Sequence, residues 1–158
     1  MTICALLAPL GLLFVASTGS AAEQRPSTAD MENMAKVQAS HISANVPPDA
    51  SFLVLLTRDV QTYLGAHKLP SKGLEIELLR KEPTQSGVSY PKYYVWIRAV
   101  DEAGRHLEGA MRVAAIDRVR FDVTDFTPAA SIRSDPTSLA SIYPALLIPA
   151  IRQHAGAQ

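Results

Sequence analysis

The chain of 158 residues carries 15 basic and 15 acidic side chains, a formal charge of zero, with 47% hydrophobic and 19% charged residues. That length holds one domain, and the balance leaves no field to draw nucleic acid or an anionic membrane surface, so neither is expected as a partner.

Residues 1–22 are an apolar run followed by small residues, and Ser20-Ala21-Ala22 fits a small-x-small cleavage site before Glu23. This reads as a secretory signal peptide and places the mature chain in the periplasm or outside the cell. The apolar stretch is interrupted by Pro9 and Gly11 and is shorter than the ~20 residues of a membrane span, which argues against a retained anchor. No Lys or Arg precedes it, so either the true start lies further upstream or the α-amine alone supplies the charge. Cys4 is the only cysteine and lies in this leader, which leaves the mature chain without a disulfide, thiol chemistry or a thiolate metal site.

Residues 23–48 read as a polar segment and a weak helix, and residues 49–158 as a single α+β domain. In the weak helix, over 30–42, Met31, Met34 and Ala35 share one side, Thr28 is offered as N-cap, and Pro47-Pro48 ends it. Such methionines fit either a partner surface or core filler. A stronger helix follows, capped by Asp49 or Ser51, with Phe52, Leu56, Val60, Tyr63 and Leu64 at helical spacing and Gly65 at the stop position. It is expected to lie across a sheet. Residues 74–78 alternate as a first strand, and 83–91, rich in Pro, Ser and Gly, connect onward.

Residues 90–126 carry the pattern that organises the fold. Tyr93, Val95, Ile97 and Ala99 alternate with Tyr94, Trp96, Arg98 and Val100, and after Asp101-Glu102-Ala103-Gly104 the alternation resumes at Leu107, Gly109, Met111 and Val113. A three-residue loop, Glu102-Ala103-Gly104, sets Ala99 opposite Leu107, Val95 opposite Met111 and Tyr93 opposite Val113 on one face. On the other, Arg98 meets Glu108 and Tyr94 meets Arg112. A register shifted by one would put Glu108 beside Ile97. Tyr94, Trp96 and Val100 make the second face apolar as well, so a helix, a partner or a ligand is expected to cover part of it. Ile116-Asp117-Arg118 reads as a tight turn into a fourth strand over 119–126, with one long bent strand as the alternative. Residues 128–135 read as a loop. Asp135 then caps a C-terminal helix, broken by Pro144 and Pro149, whose Leu139, Ile142, Leu146, Leu147 and Ile151 pack back on the domain. The expected architecture is α+β: N-terminal helices packed on a curved antiparallel sheet of three or four strands, with a Pro-broken C-terminal helix.

Nucleophile elbows, phosphate loops, HExxH, paired cysteines and calcium loops are all missing, so no cofactor or metal of those kinds is expected. His41, His67, His106 and His154 are scattered and read as surface or cap residues. Asp117, Asp122 and Asp125 form the densest acidic group; with tyrosines near an apolar pocket such an acid can act as a general base, and the alternative is turn and ion-pair duty. Arg98, Arg112, Arg118 and Arg120 offer an anion site or, with acids interleaved, a solvated strand face. Tyr90, Tyr93, Tyr94 and Trp96 are the most distinctive group, because Tyr and Trp join large apolar area to a polar handle.

A helix crossing a curved antiparallel sheet after an export signal, over residues 52–126, resembles the cystatin-like superfold and its nuclear-transport-factor-two-like branch. That resemblance rests on element order. It implies a fold shared by ketosteroid-isomerase-like enzymes, immunity proteins and many non-catalytic modules, and it carries no site residue onto this chain. The cystatin Q-x-V-x-G signature is not met, because Gln85-Ser86-Gly87-Val88 has Gly where Val is needed. QSGVSYPKYYVWI and VAAIDRVRFDVTDF also resemble an exported bacterial family, which adds no function.

The expectation is therefore a non-catalytic exported interaction module. Its candidate binding residues are Tyr90, Tyr94, Trp96, Arg98 and Arg112, and its partner is a protein, a peptide or a second copy in a dimer. The alternative is a small apolar ligand held between sheet and helix by Tyr63, Tyr93, Asp122 and Asp125, with isomerase- or hydrolase-like chemistry.

Overall fold

The computed structural model describes residues 27–157 except Val88, so the expected signal peptide over residues 1–22 and the first polar residues lie outside the described residues. The order is α1 (Thr28–Asn45), α2 (Asp49–Ala66), β1 (Lys72–Leu78), β2 (Lys92–Val100), β3 (His106–Ile116), β4 (Arg120–Pro128), α3 (Ala129–Ser134), two 3₁₀ turns (Pro136–Ser141 and Ala145–Leu147) and α4 (Ile148–Ala155). The four strands form an open, curved antiparallel sheet in the order β1-β2-β3-β4, each paired with its neighbours in sequence.

The β2–β3 register is the one the alternation requires, with Ala99 against Leu107, Arg98 against Glu108, Val95 against Met111 and Tyr94 against Arg112. The loop is locked by Asp101, whose backbone N–H donates to Arg105 O at 3.0 Å and whose carboxylate accepts from the Ala103 and Arg105 amides at 2.9 and 2.8 Å. Gly104 takes φ +76°, the left-handed value that favours glycine. The next turn is tight: Asp117 and Arg118 both have positive φ, as a type I′ hairpin requires, and Val119 N–H closes on Ile116 O at 3.1 Å. It delivers β4, so the chain forms four strands rather than one long bent strand.

Strand alternation divides the sheet into two apolar faces. On the first, α2 buries Leu56, Val60 and Leu64 against Tyr93, Val95, Ile97, Ala99, Met111, Val113, Ala115 and Phe121. Each such large side chain contributes about 1.5–3 kcal/mol relative to exposure. On the second, Tyr94, Trp96 and Ala110 pack under Ala129, Ile132, Leu139, Tyr143, Leu147, Ile151 and Ala155. The sheet is the middle of three layers.

Two local expectations are corrected. Residues 129–134 are helical rather than a loop, since Ala129 and Ile132, one turn apart, both have a core to enter. Leu146 does not pack back but is 92% exposed. The buried residues recur every fourth position, at Leu139, Tyr143, Leu147, Ile151 and Ala155. In a continuous helix a spacing of four drifts around the axis by about 40° each step; the breaks at Pro144 and Pro149 let one side face the sheet throughout.

Candidate functional site

The second face of β2 is interior. Trp96 is 1% exposed and Tyr94 4%. Trp96 stacks on the His154 ring, centroids 5.2 Å apart and planes 20° from parallel, and its indole N–H has no acceptor. The Tyr94 hydroxyl is 2.8 Å from that of Thr84. These two residues, expected as a binding face, are core instead, because the C-terminal segment folds over them. Arg98 sits at the edge of this cover between Glu77 and Glu108, 3.9 Å from each. Arg112 is committed: it lies 2.5 Å from Asp125 in a charge contact, and donates to Thr124 Oγ1 at 3.1 Å and Ile142 O at 3.2 Å. Tyr90 and the side chain of Arg98 are the two of the five that reach solvent most, at 41% and 42%. The arginine group does not converge either, since Arg120 is 3.6 Å from Asp122 and Arg118 lies in the β3–β4 turn.

The alternative group is split by the sheet. A bulge at Thr124 shifts the β4 register, so Asp122 opposes Ala114 and Asp125 opposes Arg112, on the side of the C-terminal cover. Lys92, opposite Ala114 as well, joins them; burial first, and then Arg112, hold its ammonium below the usual lysine range, against the opposing pull of Asp125 and Asp122. Tyr93 and Tyr63 lie on the α2 side. Tyr93 is wedged beside Phe52 and Phe121, centroids 4.9 and 6.1 Å away, and burial, with Glu82 and Asp49 adding, pushes its hydroxyl up to about 12. Tyr63 packs on His67 at 4.1 Å. Asp122 nevertheless lines, together with Tyr63, the open groove at the rim of α2 and β4, whereas Asp125 and Tyr93 lie on opposite sides of the sheet.

Leu56, Val60 and Leu64 fill the space between α2 and the sheet. What is open lies at its rim: a groove of about 410 Å³ between α2 and the start of β4, lined by Asp59, Thr62, Tyr63, Arg120, Phe121, Asp122 and Val123. Of its charged groups, Arg120 and Asp122 lie 3.6 Å apart and Asp59 is bonded to its neighbours. Asp59 accepts from the Phe121 amide at 2.7 Å and from Arg58 Nε at 2.7 Å, and Arg58 donates to Val119 O at 3.0 Å. Both interactions also cap the backbone edge of β4, a common defence of an exposed strand. Among the described residues no group of three His, Asp or Glu side chains is placed to hold a metal ion, and no helix is long and apolar enough to cross a membrane.

The apolar surface in water is on the helices. Of eight large hydrophobic residues exposed among the described residues, five are Met31, Met34 and Val37 of α1 and Leu53 and Val54 of α2, the last 70% exposed. α1 begins with a capping box, in which Ser27 Oγ accepts from the Asp30 amide at 3.2 Å and Asp30 Oδ2 from the Ser27 amide at 3.1 Å. Thr28, expected as the cap, is the first helical residue. Residues 27–37 are exposed throughout, and α1 meets the domain at its last turns. There the buried Asn45 accepts from the Asp117 amide at 3.2 Å through Oδ1 and from the Arg118 amide at 2.8 Å through its carbonyl, while Gln85 Nε2 lies 2.7 Å from His41 Nδ1. The methionines were legible as a helical pair. Leu53 and Val54 were missed, although they fall off the Phe52, Leu56, Val60 stripe and so had to face outward. Comparison with protein-family models, curated proteins and solved structures found no match for this chain.

Proposed function

We propose that this chain is a non-catalytic, exported interaction module that presents the outer sides of α1 and α2 to a protein partner. The observation that carries this is α1 itself. Helices in proteins owe most of their stability to packing an apolar face, and residues 27–37 at the start of this one are exposed throughout, yet it sets Met31, Met34 and Val37 in solvent. Methionine suits such a surface, being flexible and polarizable. The helix lying across a curved sheet supports the cystatin-like resemblance, which brings no catalytic residue with it. The small-ligand alternative keeps the open α2–β4 groove, which holds Tyr63 and Asp122 of its expected residues, with Asp122 3.6 Å from Arg120 and Asp59 bonded to Arg58 and to the Phe121 amide.

A photo-crosslinking residue at position 34 or 54, in the full chain expressed in its own host, tests this surface. Adducts are expected from both positions and none from a control at Thr137. Adducts from Tyr90 or Tyr63 with none from 34 or 54 would move the site to the sheet rim and overturn the reading.

A further inference from the structure

The sheet is open, so it has two edges, and they differ. The outer edge of β4 is broken by the bulge at Thr124 and covered where Asp59 accepts from the Phe121 amide and Arg58 donates to Val119 O. β1 has no such cover. Leu79 N–H donates to Tyr94 O at 2.9 Å, and alternate residues of an antiparallel ladder bond to the neighbouring strand, so Glu75 and Glu77 turn their backbone groups to β2. Ile76 and Leu78 turn theirs outward, where among the described residues no side chain or other backbone group bonds to them.

The side chains alternate as well. Leu74, Ile76 and Leu78 pack against the core on the α2 face, while Glu75 and Glu77 stand in solvent on the opposite face. Arg98, beside them on β2, lies 3.9 Å from Glu77 and from Glu108 and has no such contact with Glu75, its cross-strand neighbour. His154 lies 3.4 Å from Glu77, and Lys72 is taken by Glu102 at 2.7 Å. Arg80 and Lys81 follow only beyond the end of the strand. Along β1 itself, three glutamates surround one arginine, and the margin is acidic.

That pattern decides what can add to the edge. Paired antiparallel with itself and centred on Ile76, β1 sets Glu75 against Glu77 twice; centred on Glu75 or Glu77, it sets that glutamate on its own copy. Centred on Leu74, it crosses the bulge at Gly73, where φ is +56°. Like charges directly opposite destabilise strand pairing, so a second copy is rejected. The same two acids favour a strand that carries a cation on each side of an apolar residue. We infer that β1 binds an extended peptide in which lysine or arginine alternates with apolar residues, and adds it antiparallel as a fifth strand. The apolar residue opposite Ile76 exchanges both backbone bonds with it, and its two neighbours meet Glu75 and Glu77. This site is separate from the outer sides of α1 and α2.

The probe is the peptide Lys-Val-Lys-Val-Lys-Val-Lys, blocked at both ends and titrated at low salt into the full chain, with amide exchange read by nuclear magnetic resonance. Slower exchange is expected at Ile76 and Leu78, with the amides of β4 unchanged. Methylating the backbone nitrogens of the three valines keeps every charge but removes the donors that face β1, and is expected to weaken binding at least ~tenfold. The same methylation on the lysines falls on the solvent side and is expected to be tolerated. Glu75→Lys combined with Glu77→Lys is expected to weaken binding at least ~tenfold and to shift the preference to the Glu-Val counterpart, with circular dichroism unchanged because both side chains are in solvent. Binding that leaves Ile76 and Leu78 exchanging as before, or that responds equally to methylation of valine and lysine, would overturn the added strand. No binding at millimolar peptide removes the site, and a wild-type dimer joined through β1 contradicts the rejection of a second copy.

Discussion

Gly109 stands where β4 crosses β3 so closely that a Cβ would lie 2.5 Å from Thr127 O, 2.6 Å from the Phe126 ring and 3.0 Å from Pro128 Cα. Two of those three atoms are backbone and cannot turn away. Gly109→Ala is expected to cost about 3 kcal/mol, measured by urea denaturation, and a loss within ~0.5 kcal/mol would show that β4 is free to move. Two buried tyrosines set the alkaline limit. Tyr143 donates to Ala110 O at 2.8 Å, and burial is the main cause that pushes its hydroxyl up to about 12, as it does for Tyr93. Below pH ~10 both are protonated in the folded and unfolded chain, so their contribution is complete. Between about pH 10 and 12 the unfolded chain releases protons that the folded one keeps, and stability is expected to fall by about 1.4 kcal/mol per pH unit for each tyrosine. Tyr143→Phe should remove half of that slope; an unchanged slope would mean that other groups cause it.

At the scale of elements, α1 is joined to the domain at one end only. Asn45 Oδ1 accepts from the Asp117 amide in the left-handed turn between β3 and β4, and Asn45→Ala, which removes that acceptor but keeps the carbonyl bonded to the Arg118 amide, is expected to cost about 1–3 kcal/mol of global stability. Ser27→Ala removes the capping box at the far end and is expected to leave the urea midpoint unchanged while speeding amide exchange in the first turn of α1. Equal effects of the two substitutions would mean that α1 folds as part of the core. The hairpin was legible in full because strand alternation and cross-strand partners, Arg98 with Glu108 and Val95 with Met111, allow one register. β4 was legible as one of two options. The bulge at Thr124 was not, since it follows from how Arg112 closes on Asp125 and Thr124, which the β4 sequence does not reveal. The C-terminal cover was half legible: its apolar content was plain, but helical spacing pointed to Leu146 where fourfold spacing across two prolines points to Tyr143.

Tyr94 and Trp96 read as a surface in the sequence, and they are buried, for a reason that belongs to the whole molecule. An apolar strand face reads the same whether a partner or the chain's own C-terminus covers it, and here Ile132, Leu139, Leu147 and Ile151 do so. With both faces of the sheet inside, the exposed apolar area moves to α1 and α2. Oxidative footprinting by hydroxyl radicals on the dilute chain measures this directly. Met31 and Met34 are expected to react rapidly, while Met111 and Trp96 stay protected. Oxidation of Trp96 as rapid as that of Met31 and Met34 would contradict the account.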